Sequence, residues 1–165
     1  MSPVTAHLVM EFPEFPSDET PEENEVFFHF EDVQFDIPDE SLIKEWLVDV
    51  ARQEDTPFYE VNYIFCSDEY LRQVNIEYLD HDYYTDIITF PQEDDAVYGD
   101  MYISSERVAE NAQTNGVSFL QELYRVMVHG VLHMIGYGDK SPEDEKTMRD
   151  KENVYLQLLA GKANK

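Results

Sequence analysis

The sequence predicts an α+β fold: one domain with a small mixed β-sheet covered by helices. Three observations lead there. The chain has 165 residues, the size of a lone domain with its own core. Its hydrophobic fraction is 42%, with eleven Tyr, ten Phe and one Trp to fill an interior. Runs rich in β-branched and aromatic residues are interleaved with capped, amphipathic segments of helical period.

Residues 1–25 carry four prolines and seven acids with no Lys or Arg, and read as an acidic N-terminal extension ahead of a domain over 26–165. Residues 26–35, rich in Val and Phe, read as a strand. Asp39 caps a helix over about 40–54, with Leu42, Ile43, Trp46, Leu47 and Val50 on one face. A second strand follows over 58–66. Asp68 and Glu69 then open a helix whose apolar face is Leu71, Val74 and Tyr78. Strands at 85–90 and 97–103 flank a polar loop, and Ser104 caps a helix to about 115. Ser118 and Gln121 form a capping box on a long apolar helix that Gly136 ends near residue 135. The run Ser141-Pro142-Glu143-Asp144 starts the final helix.

The charge is extreme: 36 acids against 11 Lys plus Arg give −25, and 140 residues beyond the extension still carry −18. Such a surface favours solubility and opposes casual binding of nucleic acid or acidic membranes. The single cysteine, Cys66, forms no intrachain disulfide and ends an apolar run, which suits buried packing in a reducing compartment. No basic-plus-apolar leader opens the chain and no apolar stretch approaches the ~20 residues of a membrane span. A cytoplasmic location without membrane contact is the expectation.

The chemistry concentrates in residues 129–139, HGVLHMIGYGD. His129 and His133 are four apart, so on a helix their rings stack on one face and reach a common ion. Gly136 can take a positive φ, turning the chain back so that Asp139 becomes a third ligand. Three protein ligands leave a position for water, the arrangement of catalytic zinc. Two imidazoles left unpaired among Val126, Met127, Val128, Val131, Leu132, Met134 and Ile135 would be costly, which favours the metal. Two histidines and a carboxylate also suit ferrous iron, so the ion's identity is less determined than its presence. Helical zinc peptidases carry a glutamate after the first histidine as general base; here that position is Gly130, which argues against peptidase chemistry. A residue without a side chain there is expected to leave room beside the ion for a bulky substrate.

With these residues in view, the chain resembles the YbeY family of endoribonucleases, the rRNA maturation factors. The H-G-x-L-H-x-x-G-Y signature is intact over 129–137. A second stretch matches Asn75, Tyr78, Asp82 and residues 85–91, and a third of the form G-D-x-x-I-S matches 99–104. The resemblance covers about 26–160. It implies one zinc ion per chain, cleavage of single-stranded RNA, maturation of the 3′ terminus of 16S rRNA and late-stage 70S ribosome quality control. It also implies partners: rRNA, the small ribosomal subunit and a ribosome-assembly GTPase, while the acidic surface by its charge would complement basic ribosomal proteins. Two positions depart from the family pattern. Asp139 stands where many members have histidine, and Leu79 where many have an arginine thought to act on the phosphodiester. Arg72, Arg107, Arg125 and Lys140 are the cations available to replace it, and sequence does not choose among them.

The expected mechanism is metal-assisted hydrolysis, with the general acid–base unassigned. His81 and Asp82 read more readily as loop residues than as proton carriers, since nothing local fixes them. Asp86 and Asp100 either line the cleft or sit at strand ends. Tyr83, Tyr84 and Tyr102 could stack bases, although packing is the commoner role. The competing reading is a ribosome-assembly binding factor with a structural metal and little hydrolase activity, docked through its acidic surface.

Overall fold

The computed structural model describes residues 24–164, so the extension over 1–25 lies outside the described residues apart from Asn24 and Glu25. In chain order the elements are β1 (Glu25–Phe30), α1 (Glu40–Gln53), β2 (Phe58–Cys66), α2 (Asp68–Leu79), β3 (Ile87–Pro91), β4 (Val97–Ser104), α3 (Ser105–Asn115), α4 (Phe119–Ile135) and α5 (Pro142–Ala163). The sheet runs β1-β2-β4-β3. β1, β2 and β4 are parallel and β3 returns antiparallel to β4, which makes the mixed sheet expected from the sequence.

Alternation along the strands divides the interior in two. Val61, Tyr63 and Phe65 of β2, with Met101 and Ile103 of β4, join α1, α4 and α5 in the main core. Ile64, Cys66 and Tyr102 face the other way and meet Leu71 and Val74 of α2. The polar atoms carried inside find partners: Trp46 Nε1 donates to the Tyr155 carbonyl at 2.7 Å and the Tyr63 hydroxyl to that of Met127 at 2.9 Å. Cys66 is buried, and burial pushes its thiol well above the ordinary value.

Two sequence expectations are corrected. The first strand stops at Phe30 instead of reaching residue 35. Asp32 turns aside to accept hydrogen bonds from the Ser67 amide (2.8 Å) and hydroxyl (2.5 Å), while Val33 and Phe35 pack on the core from irregular chain. The second correction concerns Gly130. It is buried against the sheet, where a Cβ would lie 2.4 Å from Met101 Sδ and 2.9 Å from Ile87 Cδ1. Its missing side chain therefore lets α4 approach the strands and does not open space for a substrate.

Asp100 is also not a cleft residue. It is 2% exposed on β4, and Asn62 Nδ2 donates to its Oδ1 at 3.2 Å while His29 Nε2 lies 2.8 Å from Asn62 Oδ1. Burial, only partly opposed by the Asn62 bond, pushes its carboxyl up to about 6 from 3.8. The native state therefore holds this proton more tightly than the unfolded chain, and the group costs stability as pH rises from about 4 to 6, by roughly 3 kcal/mol in full. Asp100→Asn will raise the urea midpoint at pH 7 by the equivalent of about 2 kcal/mol, and the gain will shrink towards pH 4. A gain that is constant across this range would contradict the burial account.

Candidate metal centre

α4 starts at the predicted capping box: Gln121 N donates to Ser118 Oγ at 3.1 Å, and Ser118 N donates to Gln121 Oε1 at 2.9 Å. It ends at Gly136, whose φ of +131° is open to glycine and strained for other residues. Most of its circumference is buried. The stripe carrying positions 129 and 133 is the exception, and His129 on it opens onto a cleft. The histidines are therefore not enclosed among apolar neighbours as expected: the His129 side chain is 23% exposed and His133 is exposed.

Both rings are oriented from behind. His129 Nδ1 lies 2.7 Å from Glu152 Oε2, and His133 Nδ1 lies 3.2 Å from the Tyr137 carbonyl oxygen. A carbonyl only accepts, so His133 carries its proton on Nδ1. Burial alone would raise the Glu152 carboxyl, but hydrogen bonds from His129 and Arg125 outweigh it and hold the group ionised, so His129 Nδ1 donates as well. In the neutral rings both Nε2 lone pairs are left free, the tautomer that metal ligands adopt. His129 Nε2 lies 3.5 Å from Asp139 Oδ2. The structure thus brings His129 and Asp139 together across the turn and places His133 one helical turn further on the same face. Among the described residues no group of three or more His, Cys, Asp and Glu side chains is gathered closely enough to hold an ion as it stands. The donor chemistry of the three residues nonetheless fits a divalent cation.

The cleft encloses about 620 Å³ between α4 and α5 and is lined by Asp86, Arg125, His129, Asp139 and Glu152, with Lys146 and Arg149 at its side. Asp86 is half-buried there, and burial raises its carboxyl above the ordinary value. Of the four cations the sequence left open, Arg125 reaches the cleft, where it binds Glu152 at 2.8 Å and Asn153 at 2.7 Å. Arg72 pairs with Glu69 and Asp82, Arg107 pairs with Asp68 and Glu110, and Leu79 is 41% exposed at the end of α2. His81 stacks on Tyr83 in the exposed loop, away from the cleft lining. Tyr102 is buried against Tyr70 and Phe90, so it cannot stack a base; Tyr83 and Tyr84 are half-exposed.

Comparison with known proteins decides the family. Residues 27–160 match the family model described as Endoribonuclease YbeY. The chain belongs to the endoribonuclease YbeY family. It is 46% identical to the endoribonuclease YbeY of Flavobacterium psychrophilum over 140 residues, 84% of this chain and 99% of the relative. It is likewise 46% identical to that of Cytophaga hutchinsonii over 138 residues, 82% and 96% of the two chains. Among solved structures, a Thermotoga maritima protein determined in solution shares the fold with a TM-score of 0.60 at 27% identity, covering 85% of this chain and 91% of its own. The family is one of RNA-cleaving hydrolases, and the scaffold described above is its α+β domain.

Within this YbeY scaffold, sequence reading missed Glu152, Lys146 and Arg149. Glu152 had one available signal, a carboxylate among the apolar positions of α5 that end up buried with Met148, Tyr155 and Leu159. A buried acid asks for a partner, but the sequence does not say that the partner is His129.

Proposed function

We propose that the chain is a zinc-dependent, single-strand-specific endoribonuclease acting in late-stage 70S ribosome quality control and in maturing the 3′ terminus of 16S rRNA. His129, His133 and Asp139 would hold one ion. The observation that carries this reading is the pair of imidazoles with both Nδ1 positions committed, one of them 3.5 Å through Nε2 from the Asp139 carboxylate. Family membership supports the RNA substrate. When bound, zinc supplies Lewis-acid polarisation of a phosphoryl oxygen and a water of lowered pKa.

The chain's own residues supply orientation. Glu152 and the Tyr137 carbonyl fix the two rings, and Arg125 neutralises Glu152. Lys146 and Arg149 are the side chains at the cleft suited to meeting phosphates. Both bring positive charge to the cleft from α5, Lys146 while paired with Asp150 at 2.9 Å.

A second reading, an assembly factor with little hydrolase activity, draws on charge. The cleft lining holds Asp86, Glu122, Asp139, Glu145 and Glu152 against Arg125, Lys146 and Arg149 on a chain of net charge −25. Such a surface complements basic proteins better than RNA.

One experiment separates the two. Purified full-length protein will contain about one zinc per chain by mass spectrometry and will cut single-stranded RNA in preference to duplex. Chelation, His133→Ala or Asp139→Ala will reduce cleavage at least ~100-fold, as expected for loss of a metal-activated nucleophile. RNA left intact by metal-loaded protein that still joins small ribosomal subunits would favour the assembly factor. Cleavage undiminished by chelator would overturn the metal assignment.

A further inference from the structure

Glu54, the residue that ends α1, lies far from the metal centre in sequence yet reaches the turn that builds it. Its carboxylate collects three donors: the Tyr137 hydroxyl at 2.7 Å, Lys151 Nζ at 2.9 Å and the Tyr155 hydroxyl. The Glu54 side chain is 10% exposed, and Lys151 also lies 5.5 Å from the Tyr137 ring centroid. Burial alone would raise the Glu54 carboxyl, but these donors outweigh it, so the group is held ionised.

Tyr137 is where this cluster meets the centre. Its amide donates to the Leu132 carbonyl at 3.1 Å, and its carbonyl accepts from His133 Nδ1 at 3.2 Å. Asp139 follows two residues later. Between the end of α4 and Asp139 the chain contains Gly136 and Gly138, so the backbone has little intrinsic stiffness there. Backbone bonds from Gly136 and Tyr137 hold the start of this turn to α4, and the Tyr137 side chain ties it in addition to Glu54 at the end of α1.

We propose that Glu54 is a positioning residue for the metal centre. Through the Tyr137 hydroxyl it fixes the turn that orients the His133 ring and delivers Asp139. The inference rests on the functional reading above and adds to it a support on α1. The bland alternative is that the cluster only ties α1 to α5, which would affect stability and leave metal affinity alone.

The distinguishing readout is zinc affinity, measured on full-length folded protein by competition with a chromophoric chelator, beside urea unfolding of each variant. Glu54→Ala and Tyr137→Phe will each weaken zinc binding by about tenfold, the lower end of what outer supports of metal ligands contribute. The double variant will bind no more than about twofold worse than either single one, because Glu54 acts through Tyr137. Glu54→Gln, which keeps an acceptor for the tyrosine, will recover most of the affinity. Where Glu54→Ala fails to fold, Tyr137→Phe removes a single oxygen and carries the test alone. Zinc affinity within twofold of wild type in Tyr137→Phe overturns the proposal, as do fully additive losses in the double variant. Wild-type protein that binds no zinc overturns the functional reading itself, and this inference with it.

Discussion

A chain carrying glutamate in place of Gly130 will fail to fold at ordinary temperature, losing about 5 kcal/mol or more, which is comparable to the whole stability of many small domains. The first atom of the new side chain would already overlap Met101 Sδ at 2.4 Å and crowd Ile87 Cδ1 at 2.9 Å. The rest would enter a core in which Met101 and Val131 are fully buried. Overpacking of this kind costs about 1–3 kcal/mol, and burying an unpaired carboxylate adds several more. Gly130→Ala will be far milder. Its single methyl meets only the far parts of the Met101 and Ile87 side chains, and alanine recovers up to ~1 kcal/mol of helix propensity. Circular dichroism and urea titration of the two variants give the comparison. A glutamate variant that melts like wild type, with zinc still bound, would restore the idea that this glycine opens onto a substrate.

The contrast between Gly130 and Gly136 shows which features the sequence made legible. Gly136 ends an apolar helix, a role set by local backbone conformation, and its place was predictable to the residue. So were the caps at Asp39, Ser104, Ser118 and Ser141, because a capping hydroxyl or carboxylate acts on an amide three residues away. Gly130 serves a neighbour on another element, and no local pattern distinguishes a glycine facing a sheet from one facing a ligand. The same limit applies to the end of β1. Alternation continues through Val33 and Phe35, but a contact between Asp32 and Ser67, 35 residues apart, diverts the chain. The metal face was half legible. The i, i+4 spacing and the returning aspartate follow from helix and turn geometry, whereas the residues that orient the rings come from other elements, with Glu152 lying 23 residues from His129 and Glu54 lying 83 from Tyr137. The histidines' exposure was misjudged for a related reason. Residues apolar in sequence around 129 and 133 occupy other sides of α4, which leaves the histidine stripe open.

Glu152 offers the second large effect, because one carboxylate serves both stability and the metal. It is 5% exposed and accepts from His129 Nδ1 at 2.7 Å and Arg125 Nη1 at 2.8 Å. Glu152→Ala leaves a guanidinium and an imidazole facing each other without the charge between them. Breaking a buried pair costs about 3–5 kcal/mol, and here the lower figure applies, since Arg125 is 22% and His129 23% exposed and Arg125 keeps Asn153. The metal should suffer separately. Without an acceptor at Nδ1 the His129 ring is free to rotate and to move its proton onto Nε2, where it blocks coordination, so zinc affinity will fall about 10–100-fold. Glu152→Gln separates the two contributions. Its amide oxygen can still accept from Nδ1 and hold the ring, but it carries no charge for Arg125 and turns an NH₂ group towards that cation. The glutamine variant will therefore lose stability comparably while keeping zinc affinity within severalfold of wild type. Urea unfolding and zinc competition titrations on both variants measure the two quantities independently. Alanine at this position with undiminished zinc affinity would mean that Glu152 only packs α5 against α4, and that His129 is oriented by something other than the carboxylate behind it.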